Sequence, residues 1–264
     1  MLPFSWIAAV PMLLAPTPTR APASTLDVTA PRSGSANAAG ATTVRISARA
    51  GYLHIQGRPG ITEVRAQGTA RASNNDVLKQ VQLVVKRTGD VVEVTVVTPD
   101  QSGDWFTNGF GNNSASLDLT VEVPTTVPLD VEDGSGDTII RGTGTLQFRD
   151  GSGDMDIDGV TGDLSVDDGS GDISAQNVRG KVTLTDGSGN VKLSNVGSVN
   201  IGSDGSGDLN IDHVIGNVMI GSDGSGEIDV SSVSGDFTVR SKGSGSINSQ
   251  DVKGKVDIPE RHRR

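Results

Sequence analysis

The stretch Asp150-Gly151-Ser152-Gly153-Asp154-Met155-Asp156-Ile157-Asp158-Gly159-Val160-Thr161-Gly162-Asp163-Leu164-Ser165-Val166-Asp167 decides the fold, because residue 168 begins the same pattern again. Asp-Gly-Ser-Gly starts at Asp133, Asp150, Asp168, Asp186, Asp204 and Asp223, and a degenerate copy starts at Lys242, with spacings of 17, 18, 18, 18, 19 and 19 residues. Self-similarity at a period near 20 marks a solenoid rather than a closed globular fold. The apolar positions recur in register: Met155, Ile157, Val160, Leu164 and Val166 are followed by Ile173, Ala175, Val178, Val182 and Leu184, and so on to Ile228, Val230, Val233, Phe237 and Val239.

Each unit divides into two halves of about nine residues. One follows the Asp-Gly-Ser-Gly turn and the other follows a plain glycine such as Gly162. Apolar residues two apart share one face of a strand, so each half is a short strand with one side inward. Glycine is expected to reverse the chain at both corners. Two strands per 17–19-residue rung give two parallel sheets facing each other across a thin core. Seven rungs about 4.8 Å apart make a rod of roughly 35 Å. A hexapeptide left-handed helix needs apolar positions every six residues, which are absent; right-handed winding is the default for parallel crossovers. The fold class is all-β, a parallel β-solenoid preceded by irregular β rungs or a small β cap.

Composition agrees. Aromatic residues are 3% of 264, so the interior must be narrow and filled by Val, Ile and Leu. The formal charge of -10 argues against a nucleic-acid partner, which needs a cationic face. With no cysteine there is no disulfide, thiol nucleophile or thiolate metal site.

Outside the repeats, residues 1–23 look like an export signal, an apolar run from Phe4 to Ala15 before a small-x-small site at Ala21-Pro22-Ala23. The run is too short to span a bilayer as a helix, and no second long apolar segment exists, so no transmembrane segment is expected in the mature chain. Residues 24–42, rich in Ala, Ser, Gly, Pro and Thr, read as a flexible leader. Residues 43–131 carry alternating strands and cap the solenoid, as irregular rungs in the favoured reading. Val77 to Val85 is ambiguous between strand and helix. The repeat solenoid spans 132–259, and Pro259 with the basic tail 260–264 would blunt its far end.

The aspartates form two expected columns. The first is Asp133, Asp150, Asp168, Asp186, Asp204 and Asp223; the second is Asp137, Asp154, Asp172 and Asp208, with Asn190 and Glu227 substituting. Stacked carboxylates repel, so something must offset the ladder. The favoured reading has each Asp accepting hydrogen bonds from turn amides and staying solvated. Calcium, which takes six to eight oxygen ligands, is the alternative, and no other cofactor is implied. His54, His213 and His262 are far apart in sequence, and the turn serines repeat identically, so neither set is catalytic. Trp105, Phe106 and Phe110, within a Gly/Asn-rich loop over 98–115, are the candidate partner-binding residues, with packing against the solenoid as the bland reading.

The run Leu119-Thr120-Val121-Glu122-Val123-Pro124, then Val127-Pro128-Leu129-Asp130-Val131 and serial Ser-Gly-Asp units from Ser135, resembles a bacterial adhesin-like family, a domain of unknown function with β-strand repeats. The likeness covers about residues 43–258. It implies an exported β-solenoid of the periplasm, the cell envelope or the secreted fraction. The expected function is a non-catalytic surface scaffold that binds a protein or glycan partner. A calcium-stabilised repeat module is the alternative, and a polysaccharide-active enzyme the minor one.

Overall fold

The computed structural model describes residues 28–99 and 114–259. The apolar leader 1–23, the aromatic trio Trp105, Phe106 and Phe110, and the tail 260–264 lie outside the described residues. The elements in chain order are β1 (Val28–Asn37), β2 (Thr43–Ser47), β3 (Leu53–Arg58), β4 (Glu63–Ala72), α1 (Asn75–Gln80), β5 (Gln82–Thr88), β6 (Val91–Val97) and β7 (Ala115–Pro124). The repeats then supply β8 (Leu129–Asp133), β9 (Thr138–Arg141), β10 (Leu146–Asp150), β11 (Met155–Asp158), β12 (Leu164–Asp168), β13 (Ile173–Asp186) and β14 (Val191–Asp204). They finish with β15 (Leu209–Val214), β16 (Val218–Ser225), β17 (Ile228–Val233), β18 (Phe237–Ser244), β19 (Ile247–Val252) and β20 (Val256–Asp257).

From β8 onward the architecture is the solenoid the repeat predicts. Successive rungs pair parallel and in register on two faces. On one face β8, β10, β12, the second half of β13, the second half of β14, β16, β18 and β20 follow one another. On the other run β9, β11, the first halves of β13 and β14, then β15, β17 and β19. β13 and β14 are long because they run through a corner and serve both faces, with a register shift between Val178 and Lys181. The apolar columns are buried throughout, and Phe148 and Phe237 are the largest side chains fully inside.

The two corners work differently. At the Asp-Gly-Ser-Gly corner the second glycine needs positive φ, +139° at Gly171, and a Cβ there would lie 2.0 Å from the carbonyl oxygen of Gly153 one rung back. The first glycine, Gly169, is excluded from bearing a side chain by stacking alone, since its Cβ would meet the Gly151 carbonyl oxygen at 2.5 Å. At the opposite corner the expectation that glycine reverses the chain fails in five rungs. There the left-handed residue is Asn177, Asn195, His213, Ser232 or Asp251, with φ of 54–57°. Asn and Asp tolerate this conformation because their short side chains bond locally. The plain glycine of this half, Gly180 for example, is instead a stacking residue whose Cβ would sit 2.5 Å from Gly162 O.

Residues 43–131 combine rungs with a cap. β2 and β3 form a rung directly against β8 and β9, and β6 and β7 form the next one out, each parallel to its neighbour. The end is then closed by antiparallel strands, β5 on β6 and β4 on β7 with β1 outermost. The ambiguous segment from Val77 splits into helix and strand. Asn74 caps α1 by accepting from the amides of Asp76 and Val77 at 3.0 and 2.9 Å, and Val77 and Leu78 are buried beneath it.

The flexible leader expected over 24–42 is corrected from residue 28 onward. β1 pairs with β4 over ten residues, Val28↔Ala72 to Asn37↔Glu63. Two contacts explain the order. Gly34 lets β1 lie close to β5, where a Cβ would meet the Val85 side chain at 2.9 Å. Arg32 donates from Nε to the carbonyl of Val81 at 2.8 Å and from Nη2 to that of Leu78 at 2.9 Å, satisfying acceptors at the C-terminal end of α1.

Because rung spacing leaves no room above a corner glycine, Gly171→Ala is expected to lower the free energy of unfolding by about 2–5 kcal/mol through backbone strain and overpacking. Ser170→Ala in the same corner should change it by less than about 0.5 kcal/mol. Urea unfolding followed by circular dichroism measures both.

Candidate functional site

The feature that demands a chemical account is the first aspartate column. Strand register stacks Asp133 on Asp150, Asp150 on Asp168, Asp168 on Asp186, Asp186 on Asp204 and Asp204 on Asp223. All six are buried, between 2% and 7% exposed, which corrects the expectation that they stay solvated. The reason is parity. Asp168 follows Val166 and Leu164 at steps of two on β12, so it shares their inward face.

Turn amides satisfy only part of this column. Asp133 accepts from Gly134 N at 2.8 Å and from Thr138 Oγ1 at 3.3 Å, and Asp168 Oδ1 accepts from Ser170 N at 3.3 Å. Both carboxyl oxygens of Asp150, Asp186 and Asp204, and Oδ2 of Asp168, are buried without a hydrogen-bond partner. Burial pushes the Asp133 carboxyl up to about 6, aided by the charge of Asp150. Burial, then the charges of Asp150 and Asp186, pushes Asp168 up to about 7. Asp204 rises to about 7 through burial and the charges of Asp186 and Asp223. Asp150 and Asp186 are also raised, chiefly by burial.

The column ends on a cation. Where the register would place a seventh aspartate, Lys242 stacks on Asp223. Its Nζ lies 3.1 Å from Asp223 Oδ2, with the two side chains 6% and 0% exposed. The ammonium donates to the carbonyls of Gly226 (2.8 Å) and Ser244. The contact with Asp223 is a buried ion pair whose geometry falls outside that of a hydrogen bond, and neither Asp223 oxygen has another donor.

The second column has a different job. Oδ1 of Asp137, Asp154 and Asp172 accepts the backbone N–H of the equivalent residue one rung on, at 3.3, 3.0 and 2.8 Å. Asn190 and Asp208 continue the series at 3.1 and 2.8 Å. These exposed side chains stitch rung to rung, and Asn190 can replace Asp because an amide oxygen accepts equally well. Among the described residues no group of three or more His, Cys, Asp or Glu side chains is placed to hold a metal ion.

His54 sits outward on β3, and His213 occupies a left-handed corner against Asp212. His262 lies outside the described residues. The aromatic trio does too, but its anchors do not. β6 and β7 are the two strands of one rung, and Leu117 N donates to Ala50 O at 2.8 Å at the start of β7. Ala50 in turn bridges to Ser135 of the first Asp-Gly-Ser-Gly turn. The chain passes from β6 on one face to β7 on the other through residues 98–114, of which 100–113 lie outside the described residues.

Comparison with known proteins places this geometry in context. The Toastrack DUF4097 family model matches residues 60–262. No curated protein matches the chain. Among solved structures it is similar to a proposed adhesin from Bacteroides fragilis, at 15% identity over 87% of this chain and 97% of that one, with a TM-score of 0.42. It is similar to a proposed lipid-binding protein from Parabacteroides distasonis at 16% identity over 87% and 97%, with a TM-score of 0.47. A proposed cell adhesion protein from Clostridium sporogenes aligns at 12% identity over 84% and 99%, with a TM-score of 0.36.

If Lys242 supplies the counter-charge that ends the column, Lys242→Met, similar in length and uncharged, should cost about 3 kcal/mol of stability at pH 8, because it strands a buried carboxylate. Urea unfolding of the two chains reads this directly; equal midpoints would mean that Asp223 needs no cation.

Proposed function

The chain belongs to the Toastrack DUF4097 family, and on that premise we propose that it is an exported, non-catalytic, adhesin-like surface scaffold that offers a polar sheet face and the aromatic residues Trp105, Phe106 and Phe110 to a protein or glycan partner. The observation that carries this reading is the unbroken register of the repeat rungs. From Asp133 to Lys242 each corner superposes on the last, and no rung opens into a cleft. A pair of carboxyl groups for glycan cleavage must be reachable by substrate. The aspartates of the inward column are buried, and those of the second column are engaged in the rung-to-rung ladder.

What the solenoid does offer is repetitive outward surface. On β15, β17 and β19 the side chains of Asn210, Asp229 and Asn248 stack beside Ser231 and Gln250 around a shallow recess of about 330 Å³. Amide, hydroxyl and carboxylate groups at regular rung spacing suit the hydroxyls of an extended polysaccharide. The segment between β6 and β7 adds Trp105, Phe106 and Phe110, residue types whose rings stack on sugar faces or fill apolar pockets of a protein. The apolar leader 1–23 supports export.

The test is retention of the purified chain on immobilised envelope polysaccharide and on envelope membranes. Trp105→Ala should weaken retention about 30-fold if the aromatic segment is the contact, the effect of losing one aromatic anchor that a partner buries. Loss instead in an Asp229→Ala, Asn248→Ala pair would move the contact to the sheet face. Undiminished retention in both variants would contradict the reading.

A further inference from the structure

We propose that the inward aspartate column is a proton-sharing ladder, in which neighbouring carboxyl groups are joined by hydrogen-bonded protons and the ammonium of Lys242 closes the end, so that the solenoid is most stable in mild acid and loosens as those protons leave. The geometry leads to this. Six carboxyl groups stack one per rung, at least nine-tenths buried, at a strand spacing of about 4.8 Å. Four of them, Asp150, Asp186, Asp204 and Asp223, have both oxygens without a hydrogen-bond donor. Six adjacent buried carboxylates could not persist ionised, since a buried charge without a partner costs several kcal/mol. Yet the same column holds no apolar substitute in any of the six rungs.

A proton placed between two carboxyl groups resolves both problems. It removes one charge and supplies the missing donor, and O–H···O⁻ bonds are among the strong ones. The groups facing the column are few. Thr138 Oγ1 donates to Asp133 at the first rung, Asp172 adds a negative charge near Asp186, and Lys242 stands beyond Asp223. Only the last rung has a permanent cation, so the interior rungs depend on protons.

The sign follows from linkage. The folded column titrates at about 6 at Asp133 and about 7 at Asp168 and Asp204, above the ordinary 3.8. Between these limits the folded chain holds more protons than the unfolded one, so stability is greatest near the acid side of the window. It falls as pH rises from about 4 to about 7 and levels off above.

The experiment is thermal melting of the full chain between pH 4.5 and 8.5 at constant ionic strength. The expected melting temperature is at least about 6 °C higher at pH 5 than at pH 8. The paired change Asp186→Asn with Asp204→Asn, which replaces two column carboxyls by neutral groups that both donate and accept, should raise the melting temperature at pH 8 and shrink the pH dependence. Glu132→Gln with Asp167→Asn, which removes the same charge from exposed positions, should leave that dependence in place. A natural chain that melts no higher at pH 5 than at pH 8 overturns the ladder. So does a pH 8 melting temperature that calcium or potassium chloride raises as far as acid does, because a metal ion would then occupy the proton's place.

Discussion

The spacing between adjacent β-strands, about 4.8 Å, governs everything else in this molecule. Once two strands and two corners close into a rung, the next rung must repeat it atom over atom. At that distance a side chain at the two glycine positions of the Asp-Gly-Ser-Gly corner would collide with the carbonyl of the rung beneath, so glycine stacks on glycine from Gly134 to Gly243. The same rule stacks valine on valine inside, and it leaves the chain no freedom to avoid stacking carboxyl on carboxyl once aspartate takes the inward corner position. The buried acidic column is thus a consequence of repetition, and its chemistry must be solved at every rung at once.

The chain uses two solutions side by side. Outward, Asp172 and its equivalents accept a backbone N–H from the following rung, which turns an acidic residue into a stitch and allows Asn190 in its place. Inward, the turn amides approach the carboxyl groups but leave most of the oxygens without a well-formed hydrogen bond, and the column relies on shared protons and on Lys242. Above the stack, rungs from β2, β3, β6 and β7 lead into antiparallel strands that end the parallel pairing. That end therefore does not offer the open parallel edge that invites strand addition. Among the described residues the far end finishes on β19 and the two-residue β20, where Val256 and Ile258 are exposed.

Much of this was legible from residue order, and the failures are instructive. Periodicity placed the rungs, the inward Val, Ile and Leu columns and the serial corners. Composition misled at β1, because Ala, Ser, Gly and Pro are poor strand formers in isolation. Its order comes from tertiary contacts, Arg32 on the carbonyls of Leu78 and Val81 and Gly34 beneath Val85, which no local pattern announces. The second corner was assigned to glycine, whereas Asn177, Asn195 and His213 take the left-handed conformation and the plain glycines serve close stacking. Burial of the first aspartate column was readable, since Asp150 lies two residues beyond Phe148 and four beyond Leu146 on the inward parity. The acidic character of the residue argued against taking that parity at face value. Lys242 stood in the sequence as a degraded repeat, and only the register reveals it as the column's counter-ion.

The central claim, that burial in this stack holds carboxyl protons at neutral pH, is tested most directly by carbon-13 NMR of the aspartate carboxyl carbons across a pH titration. The account expects Asp133 to titrate near 6 and Asp168 and Asp204 near 7, well above the ordinary carboxylate range. Titration of all three below about 4.5, the range of solvated aspartate, would contradict it.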